Sequence, residues 1–325
     1  MRILVMGAGG IGTFFGVQLS RAGHEVEFVA RGAHLEAMQR RGIEVHDGDE
    51  VCRIHPVRAF SSPAEACGPF DLALFTVKCY DTEPAARALL PALVPETAVL
   101  PLQNGVDSVD RLSRILGSER VLAGAAFVTV HIAEPGVIVK LSPSAMVTLG
   151  ETTGEVSSRV EAVARAFEGA GIVATISRDP VLAIWDKFVG LAPFATLTAA
   201  CQSTIGEIRQ SPEAIALGHQ LISEVAAVAR AAGVNLSQGR QNELAAFFFE
   251  NAPSTLKASM AVDYERQHKV ELEDLAGAVV RKGIGLGVPT PGFSVLYAIL
   301  KARALAFGGL PGQCPLHLTA TRSAC

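Results

Sequence analysis

The chain has 325 residues, too many for one typical hydrophobic core and a good fit to two domains. Its 49% hydrophobic and 18% charged residues exclude a disordered polypeptide, and a net charge of -4 offers no basic surface for nucleic acid or an anionic membrane. The six cysteines (Cys52, Cys67, Cys79, Cys201, Cys314 and Cys325) are scattered, with no CxxC pair and no clustering with histidine. That pattern argues against a metal site or a disulfide framework and suits a reducing cytoplasm.

The apolar opening MRILVMGAGGIG lacks a cleavage-like stretch and makes a poor signal peptide. Residues Arg2 to Met6 form a short aliphatic run of the kind buried in a parallel sheet. Gly7-Ala8-Gly9-Gly10-Ile11-Gly12 follows at once, then a predicted helix over Thr13–Ala22 and a predicted strand over Glu25–Ala30. Strand, glycine turn, helix and strand within about 30 residues is the arrangement of a dinucleotide site. Gly7 permits the tight turn, Gly9 lets the backbone approach a pyrophosphate, and Gly12 allows close helix packing. The end of the second strand reads Ala30-Arg31-Gly32, with no acid for a ribose 2′-hydroxyl and an arginine for a 2′-phosphate, so NADPH is the expected cofactor.

Phe70–Val77 is a predicted strand stopping at Lys78, with a helix expected over Thr82–Leu93. Thr97–Leu102 is another, with Pro101 tolerable near its end, stopping at Gln103-Asn104-Gly105 before a further helix. Ligands of open α/β sheets bind outside the carboxyl ends of the strands, which puts Lys78 and Asn104 where cofactor and substrate should meet. Strands are expected over Val121–Ala133, Gly136–Leu141, Ala145–Gly150 and Ile172–Ile176, and a helix over Ser157–Ala170. This alternation predicts a doubly wound α/β sheet with some antiparallel extension.

After Asp179-Pro180 the pattern turns helical, with candidates over Val181–Ala200, Pro212–Ala232, Gln238–Phe249, Thr255–Arg266, Glu271–Gly285 and Phe293–Phe307. The expected domains are therefore 1–179, a Rossmann NADP-binding domain, and 180–325, an all-helical substrate and dimerisation domain, with an irregular tail after Gly308. The longest apolar stretch, Phe188–Cys201, falls short of the roughly 18 residues needed to cross a bilayer, so no membrane partner is expected. Lys187 sits among Ile184, Trp185, Phe188, Val189 and Leu191, either snorkelling at a helix surface or held in a cleft. Desolvation in a cleft would lower its pKa and suit it to donate a proton. Phe247-Phe248-Phe249 is expected in the helical core, or with one ring lining a substrate cleft.

The motifs GAGGIG, TVK, LQNGV, IWDKF and SMAVDYERQHKVELEDLAGAVV, in that order over most of the chain, resemble the ketopantoate reductase (2-dehydropantoate 2-reductase) family. The resemblance implies a Rossmann domain followed by a helical domain, a substrate cleft between them and a small 2-oxo acid substrate. With Arg31 added from the end of the second strand, the expected cofactor set is Gly7, Gly9, Gly10, Ile11, Gly12, Arg31, Lys78 and Asn104. The resemblance also implies that Lys187 is the general acid, Asn104 positions substrate and nicotinamide, Glu271 meets the lysine or the cofactor side, and Ser259 binds the substrate carboxylate. A homodimer through the helical domain is an expectation by analogy alone. The family commonly has asparagine four and eight residues after the catalytic lysine, where this chain has Leu191 and Ala195. Two further pocket positions hold Leu256 and Val270.

Three readings follow. The first is reduction of ketopantoate to pantoate. The second is a related reductase whose 2-oxo acid is less polar, branched or aromatic, because Leu191 and Ala195 offer a substrate hydroxyl no partner. The third is a non-catalytic NADPH-binding sensor, disfavoured by the retention of Lys187, Glu271, Ser259 and Asn104.

Overall fold

The computed structural model describes residues 1–311, so the part of the expected tail from residue 312 onward, with Cys314 and Cys325, lies outside the described residues. Internal packing divides the chain into two units, Met1–Ile184 and a second beginning at Trp185.

The first unit opens with β1 (Arg2–Met6), α1 (Gly10–Arg21) and β2 (Glu25–Val29). Next come α2 (Gly32–Arg41), β3 (Ile43–Asp47), β4 (Glu50–Ile54) and β5 (Arg58–Phe60), a stretch where no element is predicted. A signal for the hairpin was present: Asp47 pairs with Glu50 across a two-residue loop whose first member, Gly48, has φ +59°, as a type II′ turn requires. The expected strands and helices then appear as β6 (Leu72–Phe75), α3 (Thr82–Leu89), β7 (Ala98–Pro101) and α4 (Ser108–Leu116). The predicted strand Val121–Ala133 is in fact two, β8 (Leu122–Phe127) and β9 (Val130–Glu134). β10 (Val137–Lys140), β11 (Met146–Glu151), α5 (Ser158–Gly169) and β12 (Val173–Ile176) complete the unit.

Three sheets result: a five-stranded parallel one in the order β5-β2-β1-β6-β7, a four-stranded one β4-β3-β10-β9, and a three-stranded one β12-β11-β8. A parallel bridge from Val99 to Val121 connects β7 with the segment entering β8. The parallel sheet is doubly wound, as the continuous apolar run of β1 predicts. Ile3 and Val5 pack in one core with Phe14, Phe15, Val17 and Leu19 of α1, while Leu4 and Met6 pack in another with Ala86 and Leu89 of α3 and Leu112 of α4.

His34 of α2 ties these layers: Gly136 N donates to Nδ1 at 3.1 Å, so Nδ1 is the acceptor, and Nε2 lies 3.3 Å from Thr13 Oγ1. Burial lowers its pKa from the ordinary 6.5. The unfolded imidazole then takes up its proton near pH 6.5 and the folded one only at lower pH, so this contribution is complete above 6.5 and lost as pH falls below it. Thermal melts from pH 7.5 to 5.5 should therefore show a stability loss that is smaller in His34→Gln. An equal loss in both proteins would assign it to other groups.

The second unit contains only helices among the described residues. They are α6 (Pro180–Cys201), which begins in the first unit, α7 (Ile205–Ile208), α8 (Pro212–Ala231), α9 (Gln238–Ala246), α10 (Ser259–Glu265), α11 (Ala276–Leu286) and α12 (Pro291–Ala306). Glu224 of α8 accepts from Gly292 N and Phe293 N at 2.9 and 3.0 Å, placing a buried carboxylate on the free N–H groups that open α12. The helices expected from Thr255 and Glu271 start later, at Ser259 and Ala276. Glu271 instead heads a turn in which its carbonyl accepts from Asp274 N and Leu275 N.

α6 is 22 residues long, exceeding the apolar stretch read from the sequence, and is apolar enough to cross a membrane by length and composition. Yet 61% of its most apolar window is buried inside the protein, as in a core helix. The helix continues through Pro193.

Candidate active site

The glycine loop leaves β1 and enters α1. Gly7 has φ +98°, a conformation other residues rarely adopt, and a Cβ there would stand 2.6 Å from Val77 N. At Gly12 a Cβ would run into Thr76 Oγ1 and lie 2.5 Å from Gly7 O, so the helix can approach β1 and β6 only without a side chain. Gly9 differs: a Cβ there meets nothing within 4 Å. The protein itself does not require a glycine at that point, and the open space beside it suits a ligand. The first helical residues, Gly10, Ile11 and Gly12, have N–H groups with no acceptor within the helix, and α1 has neither a side-chain cap nor an acid in its first turn. An anion fits this end better than a neutral group, so a pyrophosphate suits the cradle.

The same sheet edge holds the other predicted residues of this unit. Because β2, β1, β6 and β7 are parallel neighbours, the segments after them carry Arg31, Gly7, Lys78 and Asn104 along one carboxyl edge. Arg31 is exposed and its Nη2 pairs with Asp81 Oδ2 at 2.5 Å. Lys78 and Asn104 are half-buried. Thr76 Oγ1 donates to Gly7 O at 2.8 Å and fastens the end of β6 to the glycine loop. Thr76, Asp81 and Gln103 have no role in the sequence reading, although Thr76 and Gln103 sit inside its TVK and LQNGV motifs. Only their partners reveal them.

In the second unit Lys187, Leu191 and Ala195 fall on one face of α6, four residues apart. Lys187 and Leu191 are half-buried and Ala195 is buried. Next to the lysine, Asp186 is held by a two-pronged pair with Arg240 of α9 at 2.6 and 2.7 Å. These bonds and the Asp186 carboxylate raise the Arg240 pKa. Ser259 is exposed at the start of α10, and Glu271 is buried in the turn before α11. Val270 is buried and Leu256 half-buried.

The phenylalanine triplet forms a π-helical turn, Phe247–Asn251, continuing α9. Arg209 donates to the carbonyls of Phe249 and Phe248 at 2.9 and 3.2 Å, satisfying groups that an α-helical pattern would pair differently. The Phe248 ring lies against Gly190, where a Cβ would collide with it, and its centroid is 5.1 Å from that of Phe194. Phe249 is buried, whereas Phe247 is exposed.

Residues 3–154 match the family model "Ketopantoate reductase PanE/ApbA", and residues 179–304 match its C-terminal counterpart. A 2-dehydropantoate 2-reductase of Mesorhizobium japonicum is 30% identical over 330 residues, covering 95% of this chain and 99% of that relative. The chain belongs to the ketopantoate reductase family. Another relative so named, from Archaeoglobus fulgidus, is 32% identical over 288 residues, covering 88% of this chain and 92% of its own. A crystal structure of a PanE/ApbA family ketopantoate reductase from Ralstonia eutropha superposes with TM-score 0.87 at 31% identity, covering 95% of this chain and all of that one. Membership in the ketopantoate reductase family makes the protein an oxidoreductase and agrees with the resemblance of the sequence motifs. A parallel-sheet Rossmann-like half followed by a helical half is likewise the architecture expected.

Proposed function

We propose that the protein reduces a 2-oxo acid to the 2-hydroxy acid with NADPH, and that the substrate is 2-dehydropantoate (ketopantoate), yielding pantoate. The observation that carries the reading is the sheet edge on which the glycine loop, Arg31, Lys78 and Asn104 gather. NADPH, when bound, supplies the hydride that reaches C2 of the acid. Gly7, Gly9 and Gly12 shape the backbone around the pyrophosphate, and the N–H groups of Gly10, Ile11 and Gly12 bind it. Lys78 and Asn104 orient the nicotinamide end and the substrate. Ser259 binds the substrate carboxylate. The Lys187 ammonium stabilises charge growing on the carbonyl oxygen and then gives that oxygen its proton, with Glu271 acting on the lysine or on the cofactor side. Residues 1–179 are then the NADP-binding domain and 180–325 the substrate domain, which also carries the contact of a homodimer, and the enzyme works in the cytoplasm.

Support for NADPH over NADH comes from Arg31. Asp81 occupies Nη2 of a guanidinium that has five N–H donors, leaving capacity for a 2′-phosphate. Arg31→Ala is expected to raise the KM for NADPH about tenfold or more and to leave that for NADH unchanged, with the difference shrinking at high salt. Equal effects on the two cofactors would remove Arg31 from the phosphate site.

The α6 face favours a second reading. Leu191 and Ala195 give it no hydrogen-bonding group at those positions, and Phe248 packs over Gly190 on the same helix beside Phe194. Such a surface suits a branched or aromatic 2-oxo acid better than a hydroxylated one. Both readings are tested by NADPH oxidation with ketopantoate, its deoxy analogue and a panel of branched and aromatic 2-oxo acids. Preference for ketopantoate over the deoxy acid supports the first, and turnover confined to apolar acids supports the second. NADPH binding with no turnover anywhere would make the protein a sensor and end both.

A further inference from the structure

We infer that Gln103 is a positioning residue: its side-chain amide clasps the loop carrying Lys78 to the loop carrying Asn104. The inference rests on the reading of those two residues as cofactor and substrate ligands. Gln103 lies just beyond β7, after Leu102, and is only 9% exposed. Its Nε2 donates to Val77 O, the carbonyl just before Lys78, and to Thr82 Oγ1, each at 2.9 Å. Thr82 Oγ1 in turn donates to Cys79 O at 2.7 Å. One amide therefore grips the turn Lys78–Thr82 at both ends.

Other bonds close the same turn from the β7 side. Cys79 Sγ donates to Asn104 O at 2.6 Å, and Arg111 of α4 donates to Cys79 O at 2.9 Å while forming a two-pronged pair with Glu83. Asp81 N donates to Lys78 O at 2.9 Å, which keeps the turn tight. The loops after two neighbouring strands are thus locked to each other rather than only to their own strands. The backbones of Lys78 and Asn104 move as one piece.

The acceptor end of the amide shows why the residue is there. Gln103 Oε1 is buried with no hydrogen-bond partner among the described residues. A buried orphan acceptor costs stability, so packing alone would favour leucine or methionine at this position. What an apolar side chain cannot supply is the two donations from Nε2. The polar side chain holds the geometry of the site at the expense of the core.

Gln103→Met keeps the volume and removes both donations. It is expected to weaken NADPH binding about tenfold, read by fluorescence titration, and to lower kcat by about tenfold to a hundredfold through misplacement of the two ligands. Backbone amides from Lys78 to Thr82 should exchange hydrogen faster. Thr97→Val serves as the control: Thr97 is buried at the opposite end of β7, where its hydroxyl donates to Phe70 O at 2.8 Å. It should lower Tm through the lost bond to Phe70 O and leave NADPH binding and kcat unchanged. Gln103→Glu separates donation from shape, since an isosteric carboxylate faces the Val77 carbonyl without a proton to give. A clasp makes NADPH binding and kcat in this variant fall at least as far as in Gln103→Met, and wild-type values for both would overturn it.

Wild-type NADPH affinity and kcat in Gln103→Met, or losses no larger than those of Thr97→Val, would overturn the clasp even if Lys78→Ala and Asn104→Ala are impaired. Full activity in Lys78→Ala and Asn104→Ala would instead remove the reading beneath it, and the clasp with it.

Discussion

Lys187→Ala is expected to lower kcat by about 10²- to 10⁴-fold while leaving NADPH affinity within about twofold of wild type. The size follows from the two tasks given to one ammonium, stabilising the growing oxyanion and protonating it. Next to the lysine, Asp186 is bound at both oxygens by Arg240 of α9, which anchors this part of α6 to a second helix. Lys187→Arg separates the tasks. Arginine keeps the positive charge but does not release a proton near neutrality, so a positioning charge alone would preserve much of the rate and a general acid would not. Steady-state NADPH oxidation beside a binding titration reads both. More than a tenth of the wild-type kcat in Lys187→Ala would dismiss the general-acid assignment.

Gly9→Ala and Gly12→Ala should fail in opposite ways although they lie three residues apart, one before α1 and one in its first turn. A methyl at Gly9 touches no protein atom within 4 Å and the backbone there is extended, at φ -81° and ψ -162°. That variant should fold with an unchanged Tm and bind NADPH at least about tenfold more weakly, because the methyl takes space a pyrophosphate needs. At Gly12 the methyl meets Thr76 Oγ1 and the carbonyl of Gly7, both parts of the scaffold. Overpacking of this kind costs about 1–3 kcal/mol, and α1 has to move away from β1 to relieve it. Gly12→Ala should therefore lose several degrees of Tm whether or not cofactor is present. Melting curves with and without NADPH separate the two. A Gly9→Ala protein with normal NADPH affinity would show that the open space beside that residue is not the pyrophosphate site.

Several parts of the fold and of the candidate site are local enough to read from the chain. β1, the glycine loop, α1 and β2 need only a short apolar run, glycines at fixed spacing and a second run at the right distance. Lys78 and Asn104 stand out because each closely follows an apolar strand, and the segment after a strand in a parallel sheet has a known place relative to a ligand. The helical second half is legible from its 3.6-residue period, although α10 and α11 begin later than that period suggests. Periodicity registers apolar positions and does not see that residues 271–275 close a turn before the helix starts.

What the sequence by itself determined, then, is the dinucleotide unit, the order of Rossmann-like and helical halves, the family, and the residues offered for the chemistry. The tertiary structure alone decided which strands share a sheet. The apolar run from Val121 to Ala133 reads as one strand, yet β8 pairs with β11 and β9 with β10, because a strand's partner depends on surfaces far away in the chain. The same holds for Arg31 on Asp81, for Phe248 over Gly190, and for the Gln103 amide between two loops. Each of these joins residues at least 21 positions apart, down to the Gln103–Thr82 bond. Local preferences act over a few residues, whereas burial selects which distant groups must satisfy one another, and that selection is made only when the whole core closes.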